Sequence, residues 1–276
     1  MQAAPQQAAM SQPFVANGRE VTRGSGLQEW TCKPSPNSTY SITGSDYSQL
    51  LEVDVHPGEL VTCEPGTMTY MSPDLEPDID MGGCGQGCKR CCCAGESMFR
   101  LHFKNDSDNV QQLGLSPKYP AKIVPLDLAK YDGLVFNKGA FLGAMGSDWK
   151  VDIKAVRSAG AMCCAGQGLF MSTLHGTGTV FLSGGGSVMT KTLDAEEELV
   201  VSQDAVLAFE KSVDIDIRRT GGCLMCCCGG MGLFNAVLTG PGFVMFHTMG
   251  MGKLQAAMAV PGGNGGGGGG GGADAS

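Results

Sequence analysis

Basic clusters, a signal-type apolar core and long amphipathic helices are what this chain lacks. Its 19 Lys and Arg stand against 27 Asp and Glu, a formal charge of −8, and no basic run exceeds Lys89-Arg90 or Arg218-Arg219. Binding a polyanion requires concentrated cations that displace its counterions, so nucleic acid is excluded as a partner. The opening Met1-Gln-Ala-Ala-Pro5-Gln-Gln has no apolar signal core, and the thirteen cysteines are therefore read as reduced and intracellular rather than as a disulfide framework. Histidine is also scarce. His56, His102, His175 and His247 form no His-x-His, Cys-His or Ser-His-Asp set, so the ligand and nucleophile constellations of enzymes are missing. The chain reads as a non-enzyme.

Glycine is what the chain has in excess, 43 residues. Part of it is the run Gly265 to Gly272, which has no side chains to bury and reads as a disordered tail over 256–276. The rest punctuates short apolar segments, as tight turns between strands do. Gly221 to Gly252 carries no formal charge, yet Gly240-Pro241-Gly242 in its middle argues for buried strands rather than a membrane span. Residues 1–35 read as a polar leader.

A cysteine-bearing, glycine-rich segment runs three times into Gly-x-x-(Leu/Met)-Phe, ending at Phe99, Phe170 and Phe234. A period of one supersecondary unit implies internal repeats. Upstream of each copy lies an apolar–turn–apolar hairpin pattern: Leu60 to Met71, Leu134 to Met145 and Leu199 to Phe209. Alternating segments follow, around Asp78, Asp152 and Asp214, with apolar residues on one side and carboxylates on the other. Closing strands are expected at Ala121 to Leu126, Gly178 to Ser183 and Gly242 to His247. The fold class is thus all-β: one compact β-sandwich or prism-like domain over 36–255. It comprises three pseudo-repeats of about 36–128, 129–193 and 194–252.

With these segments laid out, the chain resembles the family of altered inheritance of mitochondria protein 24 over about residues 38 to 250. The resemblance rests on Gln49-Leu-Leu-Glu-Val-Asp-Val-His-Pro-Gly58-Glu, Glu64-Pro-Gly-Thr-Met-Thr-Tyr-Met71 and Gly95-Glu-Ser-Met-Phe99. Ile123-Val-Pro-Leu-Asp-Leu128, Lys138-Gly-Ala-Phe-Leu142, Gly176-Thr-Gly-Thr-Val-Phe-Leu182 and Leu238-Thr-Gly-Pro-Gly242 extend it. It implies a β-sandwich related to the tryptophan RNA-binding attenuator fold and, for the eukaryotic branch of the family, a link to mitochondrial biogenesis and inner-membrane organisation. A mitochondrial location is what the resemblance implies, with a cytoplasmic or membrane-peripheral one as the alternative. It brings no catalytic residues. Relatives carry Gly/Leu-rich loops where this chain has cysteines.

Eleven of the thirteen cysteines occupy the repeated segment and are expected to gather at one end of the molecule. Three chemistries fit them. Cys91, Cys92, Cys93, Cys226, Cys227 and Cys228 suit S-acylation, and two or more acyl chains anchor stably to a membrane. Cys88 and Cys91 with Cys223 and Cys226 are two Cys-x-x-Cys pairs that could bind zinc if they converge. Reduced cysteine is also simply a small polarisable hydrophobe, suited to packing or to contact between copies of the chain. Asp78, Asp152 and Asp214 form a carboxylate ring for a hard cation only if they meet, whereas half-buried strands carry solvent-facing acids anyway. The functional expectation is a scaffold or membrane-peripheral protein without a cofactor, with a membrane surface, another protein or a second copy as partner. The alternative is a zinc-binding or thiol redox-sensing module.

Overall fold

Strands in this chain are of two kinds, and the difference tells which sheets are covered on both faces. The computed structural model describes residues 25–31, 39–45, 47–80, 100–137, 139–156, 169–219 and 234–258. Two short strands, β1 (Gln28–Glu29) and β2 (Tyr40–Gly44), precede three runs of six. The first run is β3 (Gln49–Val55), β4 (Leu60–Cys63), β5 (Met68–Met71), β6 (Glu76–Asp80), β7 (Arg100–Lys104) and β8 (Gln111–Leu115). The second is β9 (Ala121–Asp127), β10 (Leu134–Asn137), β11 (Phe141–Met145), β12 (Trp149–Val156), β13 (Leu169–Gly176) and β14 (Thr179–Gly185). The third is β15 (Val188–Leu193), β16 (Glu198–Ser202), β17 (Val206–Glu210), β18 (Asp214–Arg219), β19 (Phe234–Thr239) and β20 (Gly242–His247), followed by a short helix, α1 (Met251–Met258).

One antiparallel pairing scheme serves all three runs. The first strand pairs the sixth (β3–β8, β9–β14, β15–β20), and the sixth pairs the third (β5–β8, β11–β14, β17–β20). The second pairs the fifth (β4–β7, β10–β13, β16–β19), and the fifth pairs the fourth (β6–β7, β12–β13, β18–β19). Each third strand carries a bulge at the same place, between Met68 and Tyr70, Phe141 and Gly143, and Val206 and Ala208. Seams join the runs: β4 pairs β11, and β10 pairs β17.

The result is two large sheets, β6-β7-β4-β11-β14-β9 and β12-β13-β10-β17-β20-β15-β1, and two half-sheets, β2-β3-β8-β5 and β16-β19-β18. Three cores lie between these layers. Leu51, Val53, Leu113 and Leu115 of the first half-sheet meet Val61, Phe103, Ile123 and Phe181 of the first large sheet. Val124, Leu126 and Leu182 on that sheet's other face meet Leu134, Phe136, Leu207 and Met245 of the second. Val135, Phe209 and Val244 on the second sheet's far face meet Ala236 and Leu238 of the second half-sheet.

The large sheets are therefore buried on both faces, which is why β11 and β14 read as continuous apolar runs. β3 has one covered face and alternates, with Leu51, Val53 and Val55 buried between Glu52 and the exposed Asp54.

Three sequence expectations need correction. The leader does not extend to residue 35: β1 pairs β15, and Trp30 is buried in the central core. The closing strand of the first run is β8, because Ala121 to Leu126 lies in β9 and pairs β14 instead. The hairpin alignment also slips by one. The seams and bulges place Val61, Leu134 and Leu199 in corresponding positions, so Asp216 rather than Asp214 corresponds to Asp78 and Asp152.

Candidate functional site

The cysteine segments follow directly from the hairpins β6–β7, β12–β13 and β18–β19. The last paired residues before them are Asp80 and Arg100, Val156 and Leu169, and Arg219 and Phe234. These three hairpin ends share one side of the molecule, and backbone register is the reason. Cys63, near the end of the first hairpin, pairs Gly143, while Asn137, on the corresponding side of β10, turns directly into β11 through Ala140. The Glu64 N–H donates to the Leu142 carbonyl at 3.1 Å, which ties the first two ends together. The same geometry recurs at the second seam. Phe136 pairs Ala208, the Asn137 side-chain amide donates to the Val206 carbonyl at 3.0 Å, and the short 3-10 turn Gln203–Ala205 leads back to Ser202 beside Asn235.

Arg100 anchors the first of these ends. Its side chain is buried, and its guanidinium lies 4.9 Å from the centre of the Phe141 ring and 5.3 Å from that of Trp149. A planar cation stacked on two aromatic faces is a strong fixed contact in a water-poor setting. No local pattern marks this contact, because the two aromatics lie in the next run of strands.

The candidate ligands and acylation sites, Cys88, Cys91, Cys92, Cys93, Cys223, Cys226, Cys227 and Cys228, lie outside the described residues. Cys63 is the one described cysteine. It is buried in the first core, and desolvation pushes its thiol up to about 11 from an ordinary 9.0. Such a thiol is protonated and unreactive at neutral pH.

The carboxylates do not meet. Asp78, Asp152 and Asp214 sit on the outermost strands of three different sheets and are exposed. Asp152 lies 3.9 Å from His175 Nε2. Among the described residues, no group of three His, Cys, Asp or Glu could hold a metal ion, so the carboxylate ring is not formed.

The histidines have local structural partners. His102 Nδ1 meets the Thr62 hydroxyl at 3.3 Å. His247 Nδ1 accepts from the Gly185 N–H at 3.0 Å, and its Nε2 donates to the Asp204 carbonyl at 3.0 Å. Burial holds its pKa below the usual range. Among the described residues no helix is long and apolar enough to cross a membrane, and the uncharged stretch 221–252 contributes β19 and β20.

Comparison with known proteins agrees with this architecture. A crystal structure of a protein from Streptococcus pyogenes superposes with a TM-score of 0.62 at 26% identity, covering 79% of this chain and 96% of that one. An uncharacterised protein from Streptococcus pyogenes serotype M6 is 30% identical over 205 residues, which are 71% of this chain and 80% of the relative. The family model described as mitochondrial biogenesis AIM24 matches residues 40–249, a span that runs from the first residue of β2 to just beyond β20. The chain thus belongs to the mitochondrial biogenesis AIM24 family.

Proposed function

We propose that the protein is a non-enzymatic, membrane-peripheral scaffold of the mitochondrial-biogenesis type that uses its cysteine-rich side for contact. Family membership supports the biogenesis part of this reading. The observation that carries the contact role is the shared side of the three hairpin ends at Asp80/Arg100, Val156/Leu169 and Arg219/Phe234. Three cysteine-bearing segments leaving one side of a rigid all-β body give several attachment points at once. Two acyl chains hold where one is marginal. Lys89 and Arg90 add attraction to an anionic surface.

The test is fractionation of cells carrying wild-type protein or a variant with Cys91, Cys92, Cys93, Cys226, Cys227 and Cys228 changed to Ser. The variant should move from the membrane to the soluble fraction, and mitochondria should be the membrane that carries the wild type. An unchanged distribution would refute cysteine-based anchoring. Near-stoichiometric zinc in the purified wild type, lost on changing Cys88, Cys91, Cys223 and Cys226, would favour a metal module instead.

A further inference from the structure

The C-terminal helix α1 hangs on few contacts. None of its residues is buried, and only Leu254 is half-buried. The Asp204 carboxylate, in the 3-10 turn Gln203–Ala205 between β16 and β17, ties it to the body. Its Oδ1 accepts from the Gly252 N–H and its Oδ2 from the Lys253 N–H, both at 3.2 Å. A carboxylate at a helix N-terminus satisfies donors that the helix itself leaves unpaired. The chain leading into α1 is pinned at a second place. The Thr248 N–H donates to the Ser187 carbonyl at 3.0 Å, and the Met249 N–H to the Gly185 carbonyl at 3.1 Å.

His247 joins these two holding points. It ends β20, is 6% exposed, and bridges them with opposite polarity. Its Nε2 donates to the Asp204 carbonyl and its Nδ1 accepts from the Gly185 N–H, each at 3.0 Å. Only the neutral ring with its proton on Nε2 does both. An imidazolium has two donors and no acceptor, so a proton on Nδ1 would point at the Gly185 N–H. Gly185 is packed against the Met249 carbonyl and the Tyr119 ring, so it has no room to turn aside. The charged groups facing the ring are Asp204 on the turn, whose carboxylate favours a proton there, and Lys253 on α1, which opposes it. Tyr119, from the segment before β9, is a neutral phenol that burial pushes up to about 12. Val188, the partner of His247 in β15, is apolar.

This histidine is particular to the third run, the one followed by α1. The register of Met68↔Leu115, Phe141↔Leu182 and Val206↔Phe246 puts Ser116 and Ser183 in the corresponding positions. Neither serine titrates near neutral pH.

We propose that His247 is a proton-operated clasp for α1, shut while the ring is neutral and released when it takes up a second proton. The imidazolium keeps the Asp204 carbonyl and loses Gly185. Its charge draws the Asp204 carboxylate away from the Gly252 and Lys253 N–H groups and repels Lys253. The strands stay paired, because the imidazole takes part in no strand ladder. The closed form binds the proton more weakly, so falling pH favours the open form. An open ring with an ordinary pKa of about 6.5 is protonated about thirtyfold over neutral at pH 5, which caps the gain in opening at about thirtyfold. Release acts on the side of the molecule that bears the hairpin ends, since Ser202, next to the turn, pairs Asn235. It holds whether or not that side meets a membrane.

The test is hydrogen–deuterium exchange read by mass spectrometry on the full chain, from about pH 7.5 to about pH 5, a range above ordinary carboxylate titration. Each rate is divided by the intrinsic rate at that pH. Peptides covering 248–258 should exchange faster than those of β10 and β17 at every pH, and should lose protection at least threefold at the low end. His247→Gln supplies an uncharged amide that can accept from Gly185 and donate to Asp204, and should keep α1 protected across the range. His247→Ser installs the residue found at the corresponding positions of the other runs. It cannot bridge, and should leave α1 open across the range. Wild-type protection of α1 that is flat with pH would overturn the proposal, as would exchange at the rate of β10 and β17, which would mean opening only with the whole fold. So would either variant that keeps the wild type's pH response, or full protection of α1 in His247→Ser, because the bridge would then hold nothing.

Discussion

Cys63 should be invisible to thiol reagents in the native protein, and removing it should leave the native thiol count unchanged. Its side chain is fully buried in β4, between Leu101 of β7 and Gly143 of β11. Desolvation raises its pKa from 9.0 to about 11, with the neighbouring Glu64 carboxylate pushing the same way and the Thr67 hydroxyl opposing. The thiolate is the attacking species, so at about pH 8 the shift alone lowers the reactive fraction about a hundredfold. Burial adds a second barrier, because the reagent must wait for β4 to separate from its neighbours, an opening that approaches global unfolding for a central strand.

The assay is titration with Ellman's reagent after removal of reductant, on wild type and Cys63→Ala. In native buffer the two proteins should release the same number of fast equivalents. In concentrated guanidinium the wild type should release one more. The substitution removes a single sulfur from a packed site and should cost about 1 kcal/mol. A native count lower by one in the variant would show that Cys63 is accessible. The sharing of the first large sheet between two runs of strands would then be wrong at that seam.

Phe181 is fully buried and meets the Tyr40 ring edge-on at 4.9 Å across the first core; Phe181→Ala should cost about 3–5 kcal/mol in urea unfolding, and a loss below about 1 kcal/mol would contradict that packing. Gly143→Val should lower stability by about 1–3 kcal/mol, because a Cβ there would lie 2.9 Å from the Thr62 carbonyl oxygen and 3.2 Å from Leu115. An unchanged melting temperature would show slack in the seam. His247 is held neutral by burial, which outweighs the opposing pull of the Asp204 carbonyl and carboxylate toward the protonated form. Its folded pKa lies below the unfolded value, so the unfolded chain takes up the extra proton. Stability should therefore be level above about pH 6.5 and fall as pH drops below it toward the folded pKa. Denaturant titrations across that range should show a shallower fall for His247→Gln than for wild type, and equal slopes would refute the assignment.

The strands and their hairpins were legible in the sequence because their signals are local: apolar runs, alternation around Asp78 and Asp152, and turns at Gly66 and Gly139. What was misread depends on distant or silent features. The bulge at Thr69, Leu142 and Leu207 leaves no mark in composition but sits at the same place in every run; the first run slips by one because Leu60-Val61 imitates Leu134-Val135. The first run also contains a longer connection before its last strand. It is organised by the buried Asn105, whose amide donates to the Val55 and Asn109 carbonyls at 2.7 Å and whose Oδ1 accepts from the Ser107 N–H at 3.0 Å. That insertion hid β8 and made β9 look like the closing strand. Trp30 looked like part of a leader because its strand partner in β15 lies some 160 residues away. The repeats lead to the expectation that the cysteine segments gather at one end; those segments lie outside the described residues, and the seam register bears only on the strand ends that flank them.

The seams between runs and the hairpin side use different directions of the same body. The seams at β4–β11 and β10–β17 join sheets edge to edge, whereas the hairpins β6–β7, β12–β13 and β18–β19 stand outside both seams. Their ends can change length and composition without disturbing a core, and cysteines can accumulate there at little cost to the fold.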